Sequence, residues 1–387
     1  MPVVQAMAKQ VSGPIDLGVW GAVAVNLAYS NLAREIWLEA GLDPHVPTVT
    51  TILQCCTSMV AAFEAAGLLR SGGQALALVG GSESMSRIQI GLGANLSVWL
   101  RRWTRARTFS RRIEALRALR FRDVRLSVPE IKNRATGKSM GEHCEEMAKT
   151  WKIGRREQDE FALESHRRAV AAQDRGAFGD LVPVDGLSRD GFPRRDTSLE
   201  KLSALEPAFD RAHGTITAGN SSPLTDGAAA VWVATEEGLG RLPATVARVR
   251  LVDFEVAAVD IFHEGLLMAP VTAIPRLLSR HSLAFEDIAL WEIHEAFAAQ
   301  VLCNIRGLED ADYVREKSGV AHTFGRFPRE RVNPNGGSVA LGHPFGATGA
   351  RILSQAVQEL AALPTGSRAV VSVCADGGLG TVALLEN

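Results

Sequence analysis

The chain repeats one pattern near its two ends, and that repetition limits what it can fold into. Thr48 to Leu53 is crowded with β-branched residues and reads as a strand. It leads through Cys55-Cys56 into a small-residue helix, Thr57 to Arg70, stopped by Gly72-Gly73, and a buried strand follows from Ala75 to Val79. In the C-terminal half a glycine-rich run, Gly342-His343-Pro344-Phe345-Gly346, opens a helix from about Ala347 to Ala362. A turn at Pro364-Thr365-Gly366 ends it, and the apolar strand Ala369 to Val373 delivers Cys374 into a second glycine-rich run. Two glycine-bounded strand–helix–strand units with reactive residues at matching ends predict an internal duplication. Upstream, Ile15 to Val25 is β-like and Leu27 to Ala40 has helical spacing closed by Gly41. Alternating helices and buried strands imply α/β layers whose sheets are covered on both faces.

Length and composition narrow the function classes. The chain has 387 residues, 46% hydrophobic and 22% charged, enough for a large core in more than one domain. No apolar run reaches the roughly 18 residues that a membrane-crossing helix needs. Met1 to Gln10 lacks the charged-then-apolar plan of a signal peptide. The five cysteines (Cys55, Cys56, Cys144, Cys303, Cys374) include no C-x-x-C spacing, which argues against a disulfide scaffold or a zinc site and for a reducing cytoplasm. A formal net charge of -1 argues against general nucleic-acid binding.

A thiol and an imidazole on tight glycine-bounded loops suit thiol chemistry. Glycines let the backbone approach a ligand, and a helix start offers free N–H groups there. Cys56, at the predicted helix start, is expected to be the nucleophile, because the dipole there favours thiolate. Its neighbour Cys55 is expected to lie in the core. His343 has little apolar company to pack against and suits a base at physiological pH. Cys374 is expected to be a thiol that shuttles a proton to carbon. His294-Glu295 could suggest a metal, but no second histidine follows one turn later.

Five ordered segments carry a family resemblance. They are Cys56-Thr57-Ser58-Met59, Thr217 to Gly227, His294-Glu295-Ala296-Phe297-Ala298, Gly342 to Arg351, and Cys374-Ala375-Asp376-Gly377-Gly378-Leu379-Gly380. Together they resemble the thiolases from roughly residue 15 to the C-terminus. The resemblance implies a thiolase fold: five αβαβα layers from two similar halves, with an inserted helical loop domain. The halves would be residues 1–86 completed by 212–238, and 239–387, with 87–211 as the insert. It implies an acyltransferase that cleaves 3-ketoacyl-CoA with coenzyme A, giving acetyl-CoA and a shortened acyl-CoA, as in fatty-acid β-oxidation. The acyl group would wait as a cysteine thioester, and coenzyme A would be a co-substrate with no cofactor or metal. By the same carry-over, Cys56, His343, Cys374 and His294 are the catalytic set. The backbone N–H groups of Cys56 and Asp376 would form an oxyanion hole, and Ser222, Met140 and Phe297 would line the coenzyme A site. Glu295 would orient a neighbour. The same site could condense two acetyl-CoA molecules, or the chain could be a non-catalytic acyl-CoA or lipid binder.

Two features depart from the common pattern. Thiolases begin with a strand before the segment that matches Ile15 onward, whereas only Pro2 to Gln10 stands there, and an absent strand would expose a neighbour's edge. Between Arg101 and Arg125, ten arginines meet only Glu114 and Asp123, a local charge of about +8, with Trp99, Trp103, Phe109 and Phe121 interleaved. This stretch and His294 more closely resemble the β-subunit of trifunctional fatty-acid oxidation complexes. That likeness implies a dimer, or an α2β2 assembly with a hydratase/dehydrogenase α-subunit, and a peripheral membrane contact through Arg101 to Arg125.

Overall fold

The computed structural model describes residues 1–24, 26–127 and 132–387, and within them the chain forms two compact units, residues 1–85 with 133–387, and Ser86–Lys132. The larger unit contains two four-stranded sheets. In the first, Thr48–Thr51, Leu17–Gly21, Leu76–Glu83 and Gly227–Ala234 lie side by side; the first three strands are parallel and the last is antiparallel. In the second, Arg250–Ala258, Leu379–Glu386, Arg368–Ala375 and Leu290–Ile293 lie in that order, with only the last pair parallel.

The helices Thr57–Arg70 and Thr348–Ala361 fall within a residue or so of the stretches expected for them. One apolar core joins them to both sheets. Met59, Ala62 and Phe63 meet Ile352, Leu353 and Ala356, with Val19 and Val79 from one sheet and Val371 and Val373 from the other. The outer face of the second sheet, with Trp291, Val370 and Val382, is covered by helices Ala269–Arg280 and Ala298–Glu309. The outer face of the first packs Trp20 and Leu78 on Ala33 and Trp37 of helix Leu32–Glu39. Five alternating layers result, in two similar halves.

The two central helices touch because a glycine removes the obstacle. A Cβ on Gly349 would lie 2.4 Å from the backbone nitrogen of Met59, so any side chain there would force the helices apart. Beside it, the backbone N–H of Ala350 donates to Ser58 Oγ at 2.8 Å. This crossing brings the start of one helix against the start of the other.

At the N-terminus, Pro2–Ala8 is a helix with proline in its first turn, where a missing N–H costs nothing. It buries Val4 among Trp20, Trp37 and Leu78 and packs beside the edge strand Gly227–Ala234. The helix thus adds to the cover on the sheet's outer face, where it reaches the edge strand.

Ser86–Lys132 alone forms the second unit, and residues 133–211 fold with the main body. In the small unit, helices Ala94–Arg105 and Phe109–Ala118 are tied by Trp99 Nε1, which donates to the Ala115 carbonyl at 2.7 Å. A short antiparallel ribbon pairs Gly91–Leu92 with Leu126–Ser127. Among the described residues, no helix is long and apolar enough to cross a membrane.

Candidate active site

Gln54–Cys56 forms a 3₁₀ turn that runs directly into helix Thr57–Arg70, and Gln54 is bent to a positive φ of 43°. Successive residues of a 3₁₀ turn point about 120° apart. The two adjacent cysteines therefore face different neighbours. Cys55 Sγ lies 3.1 Å from His343 Nε2. Cys56 points into the central core, and its S–H donates to the Val373 carbonyl at 3.2 Å. Here the structure corrects the sequence reading: Cys55 is brought to His343, and Cys56 is the packed residue. Helical spacing alone could not separate the two, because the kink at Gln54 sets which thiol turns inward.

Burial opposes ionisation at both partners. It pushes the Cys55 thiol well up, helped by the fields of Cys56 and Asp376, while the backbone amides of Asp376 and of Cys55 itself act in the other direction. Burial also lifts Cys56, to about 12, so the helix start does not make it a thiolate. His343 is lowered to about 3, first by burial and then by Arg351. The resting pair is a neutral thiol beside a neutral imidazole.

The His343 loop is fixed from both sides. Gly342 has a φ of 94°, and a Cβ there would meet Thr225 at 2.6 Å, so this turn needs glycine. The His343 backbone N–H donates to the Pro223 carbonyl at 2.9 Å, so the segment Thr217 to Gly227 holds the loop from outside. Nδ1 lies 2.6 Å from Thr348 Oγ1. With Nδ1–H donating to that hydroxyl, Nε2 is left as an acceptor facing the thiol.

His294 follows the strand Leu290–Ile293 and is fully buried. Its ring centre is 4.2 Å from that of His343, and its Nδ1 is 2.9 Å from Ser338 Oγ. Its Nε2 is buried with no hydrogen-bond partner among the described residues. One ligand atom each from Cys55, His294 and His343 lies within 4.8 Å of the others. A sulfur and two imidazole nitrogens could hold a soft cation, but it would occupy the lone pairs that thiol–imidazole chemistry uses. Cys374 ends the neighbouring strand, buried, its thiol pushed well up by burial and then by Cys55 and Cys56.

The remaining expected residues surround this cluster. Glu295 accepts from Ser165 Oγ at 2.7 Å, Asn333 Nδ2 at 2.7 Å and the Val339 N–H at 3.0 Å, so it anchors the Asn333–Val339 loop. Asp376 is half-buried, and its carboxylate accepts from Asn133 Nδ2 at 3.0 Å and the Gly377 N–H at 2.7 Å. Ser222 donates to the Ala296 carbonyl at 3.0 Å, which commits its hydroxyl within the protein. Phe297 packs edge-on against Phe209, with ring centres 6.0 Å apart. Met140 begins helix Met140–Thr150, half-buried against the core. Sequence reasoning passed over Thr348, Ser338 and Asn133, whose roles depend on partners remote in the chain or on the exact turn of a loop.

Known proteins resemble this chain in sequence and in fold along its length. The thiolase N-terminal domain matches residues 8–237, and the thiolase C-terminal domain matches residues 245–387. A 3-ketoacyl-CoA thiolase from Yersinia enterocolitica is 37% identical over 382 residues, covering 96% of this chain and 86% of the relative. One from an Enterobacter species is also 37% identical, covering 100% of this chain and 90% of the relative. The crystal structure of Acat5 thiolase from Ascaris suum in complex with coenzyme A superimposes with a TM-score of 0.80 at 30% identity, covering 100% of this chain and 92% of that one. Human mitochondrial 3-ketoacyl-CoA thiolase in complex with CoA gives a TM-score of 0.81 at 27% identity, covering 100% and 90%.

Proposed function

The chain belongs to the thiolase family, and we propose that it catalyses coenzyme A-dependent cleavage of 3-ketoacyl-CoA to acetyl-CoA and a shortened acyl-CoA. The observation that carries this reading is the 3.1 Å approach of Cys55 Sγ to His343 Nε2. A thiol held against an unprotonated imidazole nitrogen is the geometry of an activated nucleophile.

In this reading Cys55 gives its proton to His343 as its sulfur bonds to the 3-keto carbon. The oxyanion formed there is proposed to be met by the backbone N–H groups of Cys55 and Asp376, which lower the Cys55 thiol against the effect of burial. The C2–C3 bond then breaks and its electron pair leaves as the acetyl-CoA enolate. The negative thioester oxygen faces His294 Nε2 and the protonated His343, and Cys374 supplies a proton to C2. Coenzyme A then enters, gives its thiol proton to the Cys374 thiolate and takes the acyl group, and the departing Cys55 thiolate recovers its proton from His343. Neutral resting partners suit this sequence, since charge develops only once substrate has displaced water. Met140 and Phe297 are proposed wall residues of the coenzyme A site. Ser222 is proposed to shape that site through its bond to Ala296.

Trapping with acyl-CoA at acidic pH and mapping the thioester by mass spectrometry tests the assignment. Label on Cys55 is expected, and label confined to Cys56 or Cys374 overturns it. Loss of the keto thioester, followed with short and long 3-ketoacyl-CoAs, sets the chain-length preference.

We further propose that the unit Ser86–Lys132 contacts an anionic lipid surface. All ten arginines from Arg101 to Arg125 are exposed, and the ion pairs of the described residues lie outside this stretch. Phe109 is 80% and Phe121 96% exposed, supplying apolar anchors beside the charge. Charge reversal at Arg111, Arg112, Arg117 and Arg120 is expected to abolish co-sedimentation with phosphatidylserine-containing vesicles while leaving thiolysis intact. Unchanged co-sedimentation with a raised KM for coenzyme A would instead make the segment a ligand clamp, and loss only of co-purification with a hydratase/dehydrogenase subunit would make it a protein interface. A homodimer is proposed on the family resemblance, and analytical ultracentrifugation decides it.

A further inference from the structure

His294 faces the reacting atoms with Nε2, yet a neutral imidazole can carry its proton on either nitrogen. For the role proposed above, donating toward the thioester oxygen, only the Nε2–H form serves. The protein holds a device that selects this form. Ser338, the first residue of the short helix Ser338–Leu341, places Oγ 2.9 Å from His294 Nδ1. The same Oγ accepts from Arg351 NH2 at 2.8 Å. A guanidinium only donates, so this contact uses an acceptor site of the hydroxyl. The Ser338 proton is then free, and among the described residues His294 Nδ1 is the acceptor it meets. If Nδ1 carried the proton instead, the Ser338 O–H would be left buried without an acceptor, which costs about 1–3 kcal/mol.

We propose that Ser338 and Arg351 are positioning residues that hold His294 in its Nε2–H tautomer and so preset it as an oxyanion donor. The reading rests on His294 serving the thioester oxygen. Two further contacts make the relay rigid. Glu295 accepts the N–H of Val339, the residue after Ser338, at 3.0 Å, and a Cβ on Gly337 would strike the Glu295 carboxyl at 2.2 Å. The loop is thus pressed onto the residue next to His294. Arg351 has a second effect: after burial its charge is among the causes that keep His294 and His343 unprotonated, so both act as neutral rings. Arg351 itself is set in the helix Thr348–Ala361, the element that also supplies Thr348 to His343. One helix therefore reaches Nδ1 of both adjacent histidines, directly at His343 through Thr348 and by way of Ser338 at His294.

The test reads the tautomer and the rate separately. In the full chain with 15N-labelled histidine, long-range N–H correlation spectra are expected to place the His294 proton on Nε2. Ser338→Ala is expected to mix the tautomers or move the proton to Nδ1. The same variant is expected to lower kcat about tenfold at unchanged KM for coenzyme A, less than the roughly 100- to 1000-fold cost of deleting an oxyanion donor. Ser338→Thr, which keeps the hydroxyl, is expected to restore the tautomer. A His294 proton on Nδ1 in the unmodified protein overturns the proposal whatever the stability of the variants. So does a Ser338→Ala protein that keeps both the Nε2–H form and full kcat. An unchanged rate in His294→Ala, with the Nε2–H form still observed in the parent, would instead sink the oxyanion role of His294 and leave the relay standing as a tautomer lock.

Discussion

The two central helices are near-copies in shape and opposites in chemistry. Thr57–Arg70 and Thr348–Ala361 are each 14 residues long, and each is entered through a 3₁₀ turn, Gln54–Cys56 or Phe345–Ala347. Both lie in the same core between the two sheets. The first presents a thiol from within its turn, and the second presents an imidazole just before its turn. Burial then acts on them with opposite sign: it raises the Cys55 thiol and lowers the His343 imidazole. The charged form is disfavoured in both, so one environment yields an uncharged acid and an uncharged base 3.1 Å apart. A duplicated scaffold thus produces a matched pair in which burial is the leading cause, with Asp376 adding to it at the thiol and Arg351 at the imidazole.

The largest expected effect breaks the pair at its thiol. Cys55→Ala is expected to abolish thiolysis and acyl trapping, while Cys56→Ala keeps activity within about threefold and loses stability through a small cavity. Steady-state rates and intact-mass measurements on the two variants check this, and the reverse ranking would return the nucleophile to Cys56.

Breaking the other member, His343→Asn is expected to lower kcat by about 100- to 10,000-fold. It also sharpens the electrostatic half of the comparison. His343 titrates near 3 when folded against about 6.5 unfolded. A depressed value means stability that is fully present above about pH 6.5 and lost as pH falls toward 3, because the unfolded chain binds the proton first. Thermal melts between pH 7 and 4.5 should therefore show a steeper fall for the parent than for His343→Asn. Equal slopes would mean that the ring is not held neutral.

The helix crossing is the next test. Gly349→Ala places a Cβ against the Met59 backbone and is expected to cost about 1–3 kcal/mol as an overpacked contact. Activity should fall with it, since the Cys55–His343 approach depends on the crossing. Chemical denaturation and kcat together decide whether the two helix starts are coupled through this point. Full activity in a destabilised variant would separate them.

The smallest effect comes from Asp376. Its carboxylate field is one of the minor contributions raising the Cys55 thiol, after burial and Cys56, and Asn133 holds that carboxylate in place. Asp376→Ala is expected to lower the Cys55 pKa and to raise the rate of alkylation by iodoacetamide at pH 8 about two- to threefold. An unchanged alkylation rate would mean that the backbone amide of Asp376 is its only contribution.

Much of this was legible in the chain. The two central helices and their strands follow from β-branched runs, small-residue helices and glycine stops, which are local signals. His343 could be singled out because glycine and proline neighbours leave a histidine little to pack on. Other decisions needed the third dimension. Cys55 and Cys56 are adjacent and alike in type, and the bend at Gln54 together with the Val373 carbonyl, 317 residues away from Cys56, assigns one to the site and the other to the core. The short helix at Pro2–Ala8 that flanks an edge strand is likewise a matter of packing. Ser338 and Arg351 matter only because a loop and a helix place them on the far side of His294. Local sequence determines which backbone elements form, because propensity and periodicity act over a few residues. Which thiol, which tautomer and which charge face the reacting atoms is decided by contacts between segments far apart in the chain.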